Sequence, residues 1–396
     1  MEVHLLQLVL LMVLVAWLGA GGFLFWNARG MSVLRPATAL PMPHPPPRVS
    51  IIVAARNEEK ALPAALDSLL HLDYPDYEII LVDDDSTDST PSIADDFARR
   101  PEARGRLRVI HNHGLPPGWR GKVHALSLAE TAVTGDWVLA TDADVVVHPA
   151  LLRLAVSLAS QTGARLVSIT PQLDFSCFAE RAVLPAFSFL LALAFPPRLV
   201  NHPKSRCALG VGAFLLMRRD DLRALGGYAR LRGTLVEDLR MAQLFKRNGR
   251  AIHIAVGRDL FHTRMYDGWR EMFEGLARTA FEGVGFSLRN IFAGLVVGLG
   301  AAVLPWAAAL YLLLAAFTRG IPLRHDPTFL LAAVTTAISV VVYAPLVTFC
   351  GLSPLYALAL PLATLFYSAA AVTSAVLTLA GPGIRWKDRM YPPPPT

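Results

Sequence analysis

The chain has 396 residues, of which 54% are hydrophobic and only 17% are charged, and its formal net charge is +6. Soluble domains carry about a quarter charged residues, so this composition indicates that part of the chain lies in lipid. The positive charge forms no long basic block, which disfavours nucleic-acid binding, and the three widely spaced cysteines disfavour a disulfide framework or a structural zinc site.

The N-terminal segment, residues 1–28, predicts a transmembrane helix. The run from Leu5 to Trp26 is almost entirely apolar and long enough to cross a bilayer core of roughly 30 Å. A signal peptide is the weaker interpretation, because no Lys or Arg precedes the run and the run is too long for an h-region. The arginines that follow it favour a cytoplasmic location for the next part of the chain (Arg29, Arg35 and Arg48).

Residues 29–48 predict a proline-rich linker, and residues 49–290 predict an α/β domain. The linker contains "RPATALPMPHPPPR", which favours an extended, semi-rigid spacer that lifts the domain off the first span. After it, short apolar segments alternate with amphipathic ones, which predicts a mostly parallel sheet covered by helices. The predicted strands are 49–55, 77–82, 106–111, 136–141, 164–170, 212–218 and 250–256. The predicted helices are 58–70, 88–99, 121–133, 149–160, 219–225 and 237–248.

Two segments within this domain, 183–200 and 267–286, combine apolar and aromatic residues with prolines or charges. This composition is typical of helices that lie at a membrane surface. The alternative interpretation is that both segments simply cover the sheet. Under the first interpretation, we expect a lipid acceptor to reach the domain between the two segments.

Residues 291–380 predict a C-terminal transmembrane region, and residues 381–396 form a basic tail. The region contains three apolar stretches of spanning length, at 291–317, 328–349 and 353–380. Three spans after a cytoplasmic domain would place the tail outside, although its basic residues favour the inside. Either one stretch is re-entrant or interfacial, or the tail is translocated, and we favour a tail on the inside.

Acidic side chains follow three of the predicted strands. "AARNEE" (54–59) follows the first strand, "DDDSTDST" (83–90) the second and "TDADV" (141–145) the fourth. Ligands of open parallel sheets bind beyond the carboxyl ends of the strands, so three such clusters predict a binding site at one edge. Asp88 is the exception, because its position suits a cap of the following helix.

Asp142 and Asp144 lie one residue apart at the end of a buried strand. Two facing carboxylates raise each other's pKa unless a cation lies between them. Oxygen ligands suit Mg²⁺ or Mn²⁺, and a diphosphate is the usual further ligand of such a cation. Lys122, in "PGWRGKVHAL", could bring a positive charge to that diphosphate, although a lysine at a helix start is ordinary. The sequence therefore predicts a metal-assisted diphosphate site.

The order of these motifs resembles that of a known family. "ARNEE", "VDDDSTDST", "WRGKVHAL", "TDADV", "GGY" and "VEDLRMAQLFKRNG" follow one another as in the inverting nucleotide-sugar glycosyltransferases of family two, which have the type-A fold. The resemblance covers residues 49–290 and extends to membrane-bound lipid glycosyltransferases that act on carotenoid, hopanoid or sphingolipid acceptors, ceramide included. "FHTRMYDGW" (261–269) and "RWKDRMY" (385–391) also resemble segments of those enzymes.

The resemblance implies roles for individual residues. The residues expected to bind the donor nucleotide are Asn57, Glu58, Asp84, Lys122, Asp142 and Arg264. The residues expected to bind the metal, Mg²⁺ or Mn²⁺, are Asp144, Asp142 and His262. The expected catalytic residues are Asp238, Glu237 and Arg278. Asp238 would be the general base for the acceptor hydroxyl, and Arg278 or Arg264 would balance charge on the departing diphosphate.

One departure from the family concerns an element that follows the general base. Processive polysaccharide synthases and ceramide glucosyltransferases carry a QxxRW-type sequence there, whereas this chain has "GLART" at 275–279. Arg278 matches the basic residue, but Gly275 replaces the glutamine and Thr279 the tryptophan. A processive polysaccharide synthase is therefore the weaker alternative, because the terminal sugar of its polymer would lack an aromatic platform.

The sequence thus predicts an integral protein of the inner (cytoplasmic) membrane, with a catalytic domain that faces the cytoplasm. It would transfer one sugar, with inversion and with a metal, from a nucleotide sugar to a lipid hydroxyl; UDP is the usual donor nucleotide of the family. Its partners would be the bilayer, the lipid and the nucleotide sugar, without nucleic acid. Two further alternatives are a nucleotidyltransferase, although "VAARNEEKAL" contains no glycine, and a non-catalytic membrane scaffold, although Asp142, Asp144 and Asp238 are intact.

Overall fold

Strands and helices alternate from Val49 to Gly257 in the computed structural model of the chain, which describes residues 2–319, 326–380, 384–386 and 389–391. The strands are β1 (Ser32–Leu34), β2 (Val49–Ala55), β3 (Tyr77–Asp84), β4 (Leu107–Asn112), β5 (Trp137–Asp142), β6 (Val145–Val147), β7 (Leu166–Thr170), β8 (Gln172–Leu173), β9 (Leu215–Arg218), β10 (Ile252–Gly257), β11 (Phe261–Thr263), β12 (Ile384–Trp386) and β13 (Arg389–Tyr391).

The helices begin before the domain and continue after it. They are α1 (Glu2–Ala28), α2 (Leu62–Leu70), α3 (Thr90–Ala98), α4 (Gly121–Thr131), α5 (Leu151–Thr162), α6 (Phe178–Ala194), α7 (Pro197–Asn201), α8 (Arg219–Ala224), α9 (Glu237–Arg247), α10 (Trp269–Gly283), α11 (Leu288–Ala302), α12 (Leu304–Arg319), α13 (Pro327–Phe349) and α14 (Leu360–Leu379). Short 3₁₀ helices lie at Pro101–Ala103, Tyr228–Leu231 and Pro354–Ala359.

The central sheet has the strand order β1-β10-β7-β9-β5-β2-β3-β4. Its strands are parallel except β9, which is antiparallel to β5 and β7. Successive side chains of a strand point to opposite faces, so Ile51 and Ile79 belong to one apolar cluster and Ile52 and Ile80 to another. Helices therefore cover both faces, as a parallel sheet requires. The predicted α/β fold with a mostly parallel sheet is confirmed.

Each strand and helix predicted between residues 49 and 256 is found, with differences at the ends. The predicted strand 212–218 begins only at Leu215, because the preceding loop leaves the sheet and contacts Asp238. The predicted helix 58–70 begins at Leu62, with a proline in its first turn, where the missing N–H carries no penalty. Both shortened ends make room for loops at the carboxyl edge of the sheet.

The linker is less independent of the domain than predicted. Ser32–Leu34 form β1, which pairs with β10 at the edge of the sheet, and Ser32 Oγ lies 2.8 Å from Nε2 of His253. The sequence analysis also missed a small sheet of β6, β11 and β8. These strands have two or three residues each, too few to show a period of two. The linker therefore fixes α1 to the sheet instead of acting only as a spacer.

Three helical segments in the described part of the chain are long and apolar enough to cross a membrane. They are His4–Ala28, Pro327–Phe349 and Pro354–Leu379. They flank the α/β domain in sequence and contact one another through α13, which packs on α1 and on the 3₁₀ helix before α14. The predicted N- and C-terminal membrane helices are consistent with these segments.

The first C-terminal stretch, 291–317, is not one continuous helix. It divides into α11 and α12, and the break coincides with Pro305, which cannot donate a hydrogen bond to the Ala301 carbonyl four residues earlier. Nε1 of Trp17 donates to that carbonyl instead, at 3.0 Å. Helix α11 is also bent by 119° from α10. The stretch 291–317 is therefore two helices divided at this proline, and the alternative that one of the three stretches is re-entrant or interfacial stays a prediction.

The segments 183–200 and 267–286 lie between the domain and the C-terminal helices. Phe189 of α6 packs edge-on against Tyr343 of α13, with ring centroids 5.3 Å apart. Val183 of α6 and Met272 of α10 share one apolar cluster with Ala370 of α14. The segments therefore contact the C-terminal helices, and the end of 183–200 also covers the sheet, because Val200 belongs to the apolar cluster of Ile252 and Ile254. Because α6 and α10 also contact each other, side chains fill the acceptor path expected between them.

Candidate active site

The three acidic clusters lie together at one edge of the sheet, as predicted. Strands β5, β2 and β3 are neighbours, and their register places Ala54 beside Asp142 and Ala55 beside Asp83. The three strands therefore end at nearly the same level, and the loops that follow them share this edge. In open parallel sheets this is where ligands bind.

Lys122 connects two of the predicted site elements. Its Nζ lies 2.7 Å from Oδ1 of Asp142 and 2.6 Å from Oε1 of Glu237. Burial lowers the pKa of Lys122, but the carboxylates of Asp142, Glu237 and Asp238 outweigh it and hold the pKa well above the usual value. The ammonium group is thus positively charged at neutral pH and fixed at the centre of the site.

Asp238 lies at the start of α9, and backbone groups hold its carboxylate. Oδ2 accepts a hydrogen bond from the Gly212 N–H at 2.8 Å, and Oδ1 accepts one from the Leu239 N–H at 2.7 Å. Burial and the neighbouring Glu237 raise the pKa of Asp238 to about 7, although Lys122 opposes this rise. A carboxyl group with this pKa can both accept and release a proton near neutral pH.

Two glycines allow the loop before β9 to approach Asp238. A Cβ at position 210 would lie 2.5 Å from the Asp238 carbonyl oxygen. A Cβ at position 212 would lie 3.1 Å from Nζ of Lys122 and 3.4 Å from Oδ2 of Asp238. Backbone therefore excludes a side chain at position 210, whereas one at position 212 would require a small shift of the Lys122 ammonium group.

A small cavity joins these side chains. Its lining includes Lys122, Asp142, Gly212, Glu237 and Asp238. The phenol ring of Tyr228, which is 1% exposed, closes the cavity from the side of the "GGY" motif. The structure therefore brings four of the sequence-predicted site residues into one cleft.

Asp144 carries the negative charge that a cation would relieve. Burial, then the charges of Asp142 and Glu58, raise the pKa of Asp144 to about 7. Such a rise means that ionised Asp144 is poorly compensated by the protein alone. Asp142 and Asp144 thus fit a divalent cation with oxygen ligands, and Lys122 leaves the second oxygen of Asp142 available.

The structure does not complete a three-residue metal site. Among the described residues, no group of three or more His, Cys, Asp or Glu side chains is arranged to hold a metal ion. His262 pairs across the small sheet with Val146, two residues after Asp144, and its Nδ1 lies 3.5 Å from Oδ1 of Asp174. The expected set of Asp144, Asp142 and His262 is therefore not found as a preformed cluster. A bound cation would rely on the two aspartates and on oxygens of its substrate.

The loops after β2 and β3 form the other end of the site. Oδ1 of Asn57 accepts a hydrogen bond from the Thr87 N–H at 2.8 Å, and Asn57 has a positive φ of 52°, which asparagine tolerates. Asn57 therefore shapes this end by joining two loops. The Glu58 N–H donates to Oγ1 of Thr90 at 2.7 Å. The Glu58 carboxylate lies close enough to Asp144 for its charge to raise the pKa of Asp144.

Asp84 lies beneath these loops and is almost completely buried. Its side chain is 3% exposed, and Oδ1 accepts a hydrogen bond from Nδ2 of Asn112 at 2.8 Å. Its other carboxylate oxygen forms an ion pair with Arg389 of the C-terminal tail. The structure thus adds to this end of the site a residue of "RWKDRMY", to which the sequence analysis gave no role.

Arg264 and Arg278 occupy different surroundings. Arg264 is half-exposed, and its Nη2 lies 3.6 Å from Oδ1 of Asp267. Arg278 lies on α10 close to Tyr266, whose pKa is raised by burial while the charge of Arg278 opposes the rise. Their expected role in balancing charge on a leaving diphosphate stays a prediction.

Sequence reasoning missed Gly212 and Arg389 as site residues and gave Tyr228 no role. The glycines of "GVG" (210–212), directly before a predicted strand, were a usable signal, since glycine there allows close approach of the backbone. Arg389 lies in "RWKDRMY", which the resemblance included without a role, and no local pattern links it to Asp84, 305 positions away in the chain.

Comparisons with known proteins show what the domain is similar to. Residues 50–226 match the family described as "Glycosyl transferase family 2". The chain is 29% identical over 231 residues to 4,4'-diaponeurosporenoate glycosyltransferase of Staphylococcus haemolyticus, covering 57% of this chain and 59% of that protein. It is 34% identical over 152 residues to beta-monoglucosyldiacylglycerol synthase of Synechocystis, covering 34% of this chain and 31% of that protein. The chain therefore spans less than two thirds of the length of these relatives.

A solved structure shares the fold. A mannosyltransferase of Pyrobaculum calidifontis, solved in complex with GDP-Man and Mn²⁺, superposes with a TM-score of 0.53 over 91% of this chain and 99% of that chain. The sequence identity in this superposition is 22%, so the likeness concerns the fold alone. The predicted type-A fold is confirmed, and residues 50–226 match the model of a family-two domain.

Proposed function

We propose that this chain, which carries a glycosyl transferase family 2 domain, is a membrane-bound glycosyltransferase. It transfers one sugar from a nucleotide sugar to a lipid hydroxyl, with inversion at the anomeric carbon. The observation that carries the proposal is the cleft in which Lys122 joins Asp142 to Glu237 beside Asp238. This cleft combines a positive charge, a metal-binding carboxylate and a candidate base at the carboxyl edge of the sheet.

The donor enters with its nucleoside at the loops after β2 and β3 and with its diphosphate near Lys122. Glu58 and Asp84 contact the nucleoside in this arrangement. Mg²⁺ or Mn²⁺, held by Asp142 and Asp144, would neutralise charge on the diphosphate when bound. The mannosyltransferase that shares the fold was solved with Mn²⁺ and a nucleotide sugar, which supports this kind of cofactor and donor.

Asp238 acts as the general base. The acceptor oxygen attacks the anomeric carbon, the bond from that carbon to the diphosphate oxygen breaks, and the hydroxyl proton passes to the Asp238 carboxylate. The Gly212 and Leu239 N–H groups hold the two carboxylate oxygens of Asp238, which fixes their direction before the acceptor arrives. Attack from the face opposite the leaving group inverts the anomeric centre.

The acceptor is a lipid. Three candidate spans and two relatives named for lipid or carotenoid substrates support this assignment. Since α6 and α10 pack against each other, the acceptor approaches along their outer faces. Phe178 and Trp269 project there with 64% and 55% of their surfaces exposed. Exposed aromatic side chains of this kind are typical of helices at a membrane surface.

The catalytic domain faces the cytoplasm, where nucleotide sugars are found, and the chain is integral to the inner membrane. The arginines after α1 favour this orientation (Arg29, Arg35 and Arg48). A processive polysaccharide synthase is disfavoured by packing at Gly275. A Cβ at this position would lie 2.3 Å from the ring of Tyr266, so the glutamine of a QxxRW element could not occupy it without rearrangement.

The proposal is tested with detergent-solubilised protein, a panel of nucleotide sugars and a lipid extract. We expect release of nucleoside diphosphate from one donor together with a new glycolipid, and loss of both in the presence of excess EDTA. Lipid profiling of a deletion strain and its complemented counterpart then identifies sugar and acceptor. Donor turnover that continues unchanged in EDTA would contradict the metal role, and release of pyrophosphate would indicate a nucleotidyltransferase.

A further inference from the structure

The C-terminal hairpin lies against the catalytic domain, at the same edge as the candidate active site. Strands β12 and β13 pair antiparallel, and Arg389 is the first residue of β13. Nη1 of Arg389 forms an ion pair with Oδ2 of Asp84, and its Nη2 lies 3.4 Å from Oδ2 of Asp85. The Arg389 side chain is 14% exposed, so this contact is made inside the domain and not at its surface.

Asp84 depends on this contact for its charge balance. Asn112 is a neutral donor to Oδ1, whereas Arg389 supplies a positive charge to Oδ2. A buried carboxylate is costly unless it is both paired and hydrogen-bonded. Arg389 therefore neutralises Asp84 and fixes the plane of its carboxylate group.

The same contact changes the field that an anionic donor meets. Three aspartates, Asp83 to Asp85, follow one another at the end of β3, and Lys122 is already engaged by two carboxylates. Nη1 of Arg56 donates to the Asp85 carbonyl oxygen at 2.6 Å, beneath the same loop. Arg389 adds a second guanidinium group there, which reduces repulsion between this acidic loop and a diphosphate.

We propose that Arg389 is a positioning residue of the donor site, and that the C-terminal hairpin completes the nucleoside end of that site from beyond the candidate membrane spans. This inference rests on the proposed function, because it requires that Asp84 contacts the nucleoside of a nucleotide donor. Arg389 acts through Asp84: it orients the carboxylate and balances its charge while the donor binds. It takes no part in the transfer step.

The test compares binding of UDP and GDP, each with Mn²⁺, to the purified full-length protein and to Arg389→Ala. We expect Arg389→Ala to weaken binding of the preferred nucleotide about tenfold or more, as for loss of a charge-assisted hydrogen bond. Arg389→Lys should recover part of the lost affinity, because lysine restores the positive charge but lacks the planar guanidinium group with its several N–H donors. The KM for the nucleotide sugar should rise in Arg389→Ala while kcat changes little.

The matched control is Arg99→Ala, since Arg99 is 70% exposed and pairs with Asp96 on α3. It should bind nucleotides as the unaltered protein does. Equal binding by Arg389→Ala and by the unaltered protein would overturn the role of Arg389 and leave the proposed function intact. Tighter binding by Arg389→Ala would also overturn this role and would indicate that the hairpin inhibits nucleotide binding. If the unaltered protein binds neither nucleotide, the proposed function fails, and this role with it.

Limited proteolysis provides a second measurement that needs no variant. Trypsin can cut the tail after Arg389, and cleavage there requires that the ion pair between Arg389 and Asp84 opens, because the Arg389 side chain is only 14% exposed. Bound nucleotide should slow the appearance of the cleaved product, because donor and docked hairpin stabilise each other. An unchanged or faster cleavage rate in saturating nucleotide would contradict the inference.

Discussion

The ammonium group of Lys122 lies 2.6 Å from the Glu237 carboxylate, and this ion pair links the start of α4 to the start of α9. The same ammonium group lies 2.7 Å from Asp142 at the end of β5. One lysine therefore holds together the three parts of the chain that carry the proposed donor and base chemistry. Its position explains why these motifs, far apart in sequence, form one cleft.

Replacement of Lys122 by methionine should lower both stability and donor binding. Methionine keeps much of the volume but leaves the carboxylates of Asp142 and Glu237 without their shared partner. We expect a loss of about 1–3 kcal/mol in stability, seen as a fall in the thermal midpoint in detergent. Lys204→Met, at an exposed position, is the control and should change neither quantity. Normal nucleotide binding by Lys122→Met would contradict the role of the lysine.

Metal binding should strengthen as the pH rises through about 7. The pKa of Asp144 is raised to about 7 by burial, Asp142 and Glu58, so protons compete with a cation below this value. Because the folded-state pKa is raised, Asp144 favours the fold at low pH, and this contribution is lost as the pH increases from about 4 to about 7. Added Mn²⁺ should therefore raise the thermal midpoint more at about pH 8 than at about pH 5.5.

The variant Asp144→Asn separates this effect from non-specific metal binding. It should abolish the Mn²⁺-dependent shift at both pH values and leave expression in membranes intact. Asp96→Asn, at an exposed position on α3, should keep the full shift. Equal shifts at both pH values in the unaltered protein would show that Asp144 does not titrate with the cation.

Gly210→Ala should damage transfer more than donor binding. The added Cβ would lie 2.5 Å from the carbonyl oxygen of Asp238, and this contact is to backbone, which cannot move aside easily. The loop that carries the Gly212 N–H would shift, and Asp238 would lose a hydrogen bond. A fall in kcat with little change in nucleotide affinity is expected. Gly294→Ala, on α11 with open space around it, should behave as the unaltered protein.

The tail and the catalytic domain should lie on the same side of the membrane, because Arg389 pairs with Asp84. The chain between them then crosses the bilayer an even number of times, and we expect these crossings to be α13 and α14, with no net crossing by α11 and α12. In a background without native cysteines, Ser353→Cys should react with an impermeant thiol reagent from outside. Thr396→Cys should react only after lysis, and its labelling in intact cells would contradict this topology.

The sequence predicted the parts of the site that depend on local pattern. The strands and the acidic loops after them were readable, because apolar runs of five to eight residues with terminal carboxylates are distinctive. Asp142 was therefore placed at the correct edge by its strand, whereas Asp238 was assigned to the site only by the family resemblance and Lys122 by its motif. The break at Pro305 was also readable and was overlooked, since mean hydropathy ignores the missing proline N–H.

Other features depend on contacts between distant parts of the chain. The pairing of Ser32–Leu34 with β10 exists only because the sheet presents a free edge there. The hydrogen bond from Gly212 to Asp238 and the ion pair from Arg389 to Asp84 require folded loops that no local pattern describes. The expected role of His262 as a ligand stays a prediction, because the described side chains form no three-residue metal cluster before a cation and its substrate bind.

The most direct measurement follows glycolipid formation by purified Asp238→Asn next to its nucleotide affinity. The account predicts that this variant binds the nucleotide sugar as the unaltered protein does, but loses roughly 10²–10⁴ in turnover, because nothing accepts the hydroxyl proton. Turnover by Asp238→Asn within a few-fold of the unaltered protein, at equal donor affinity, would show that another group is the base.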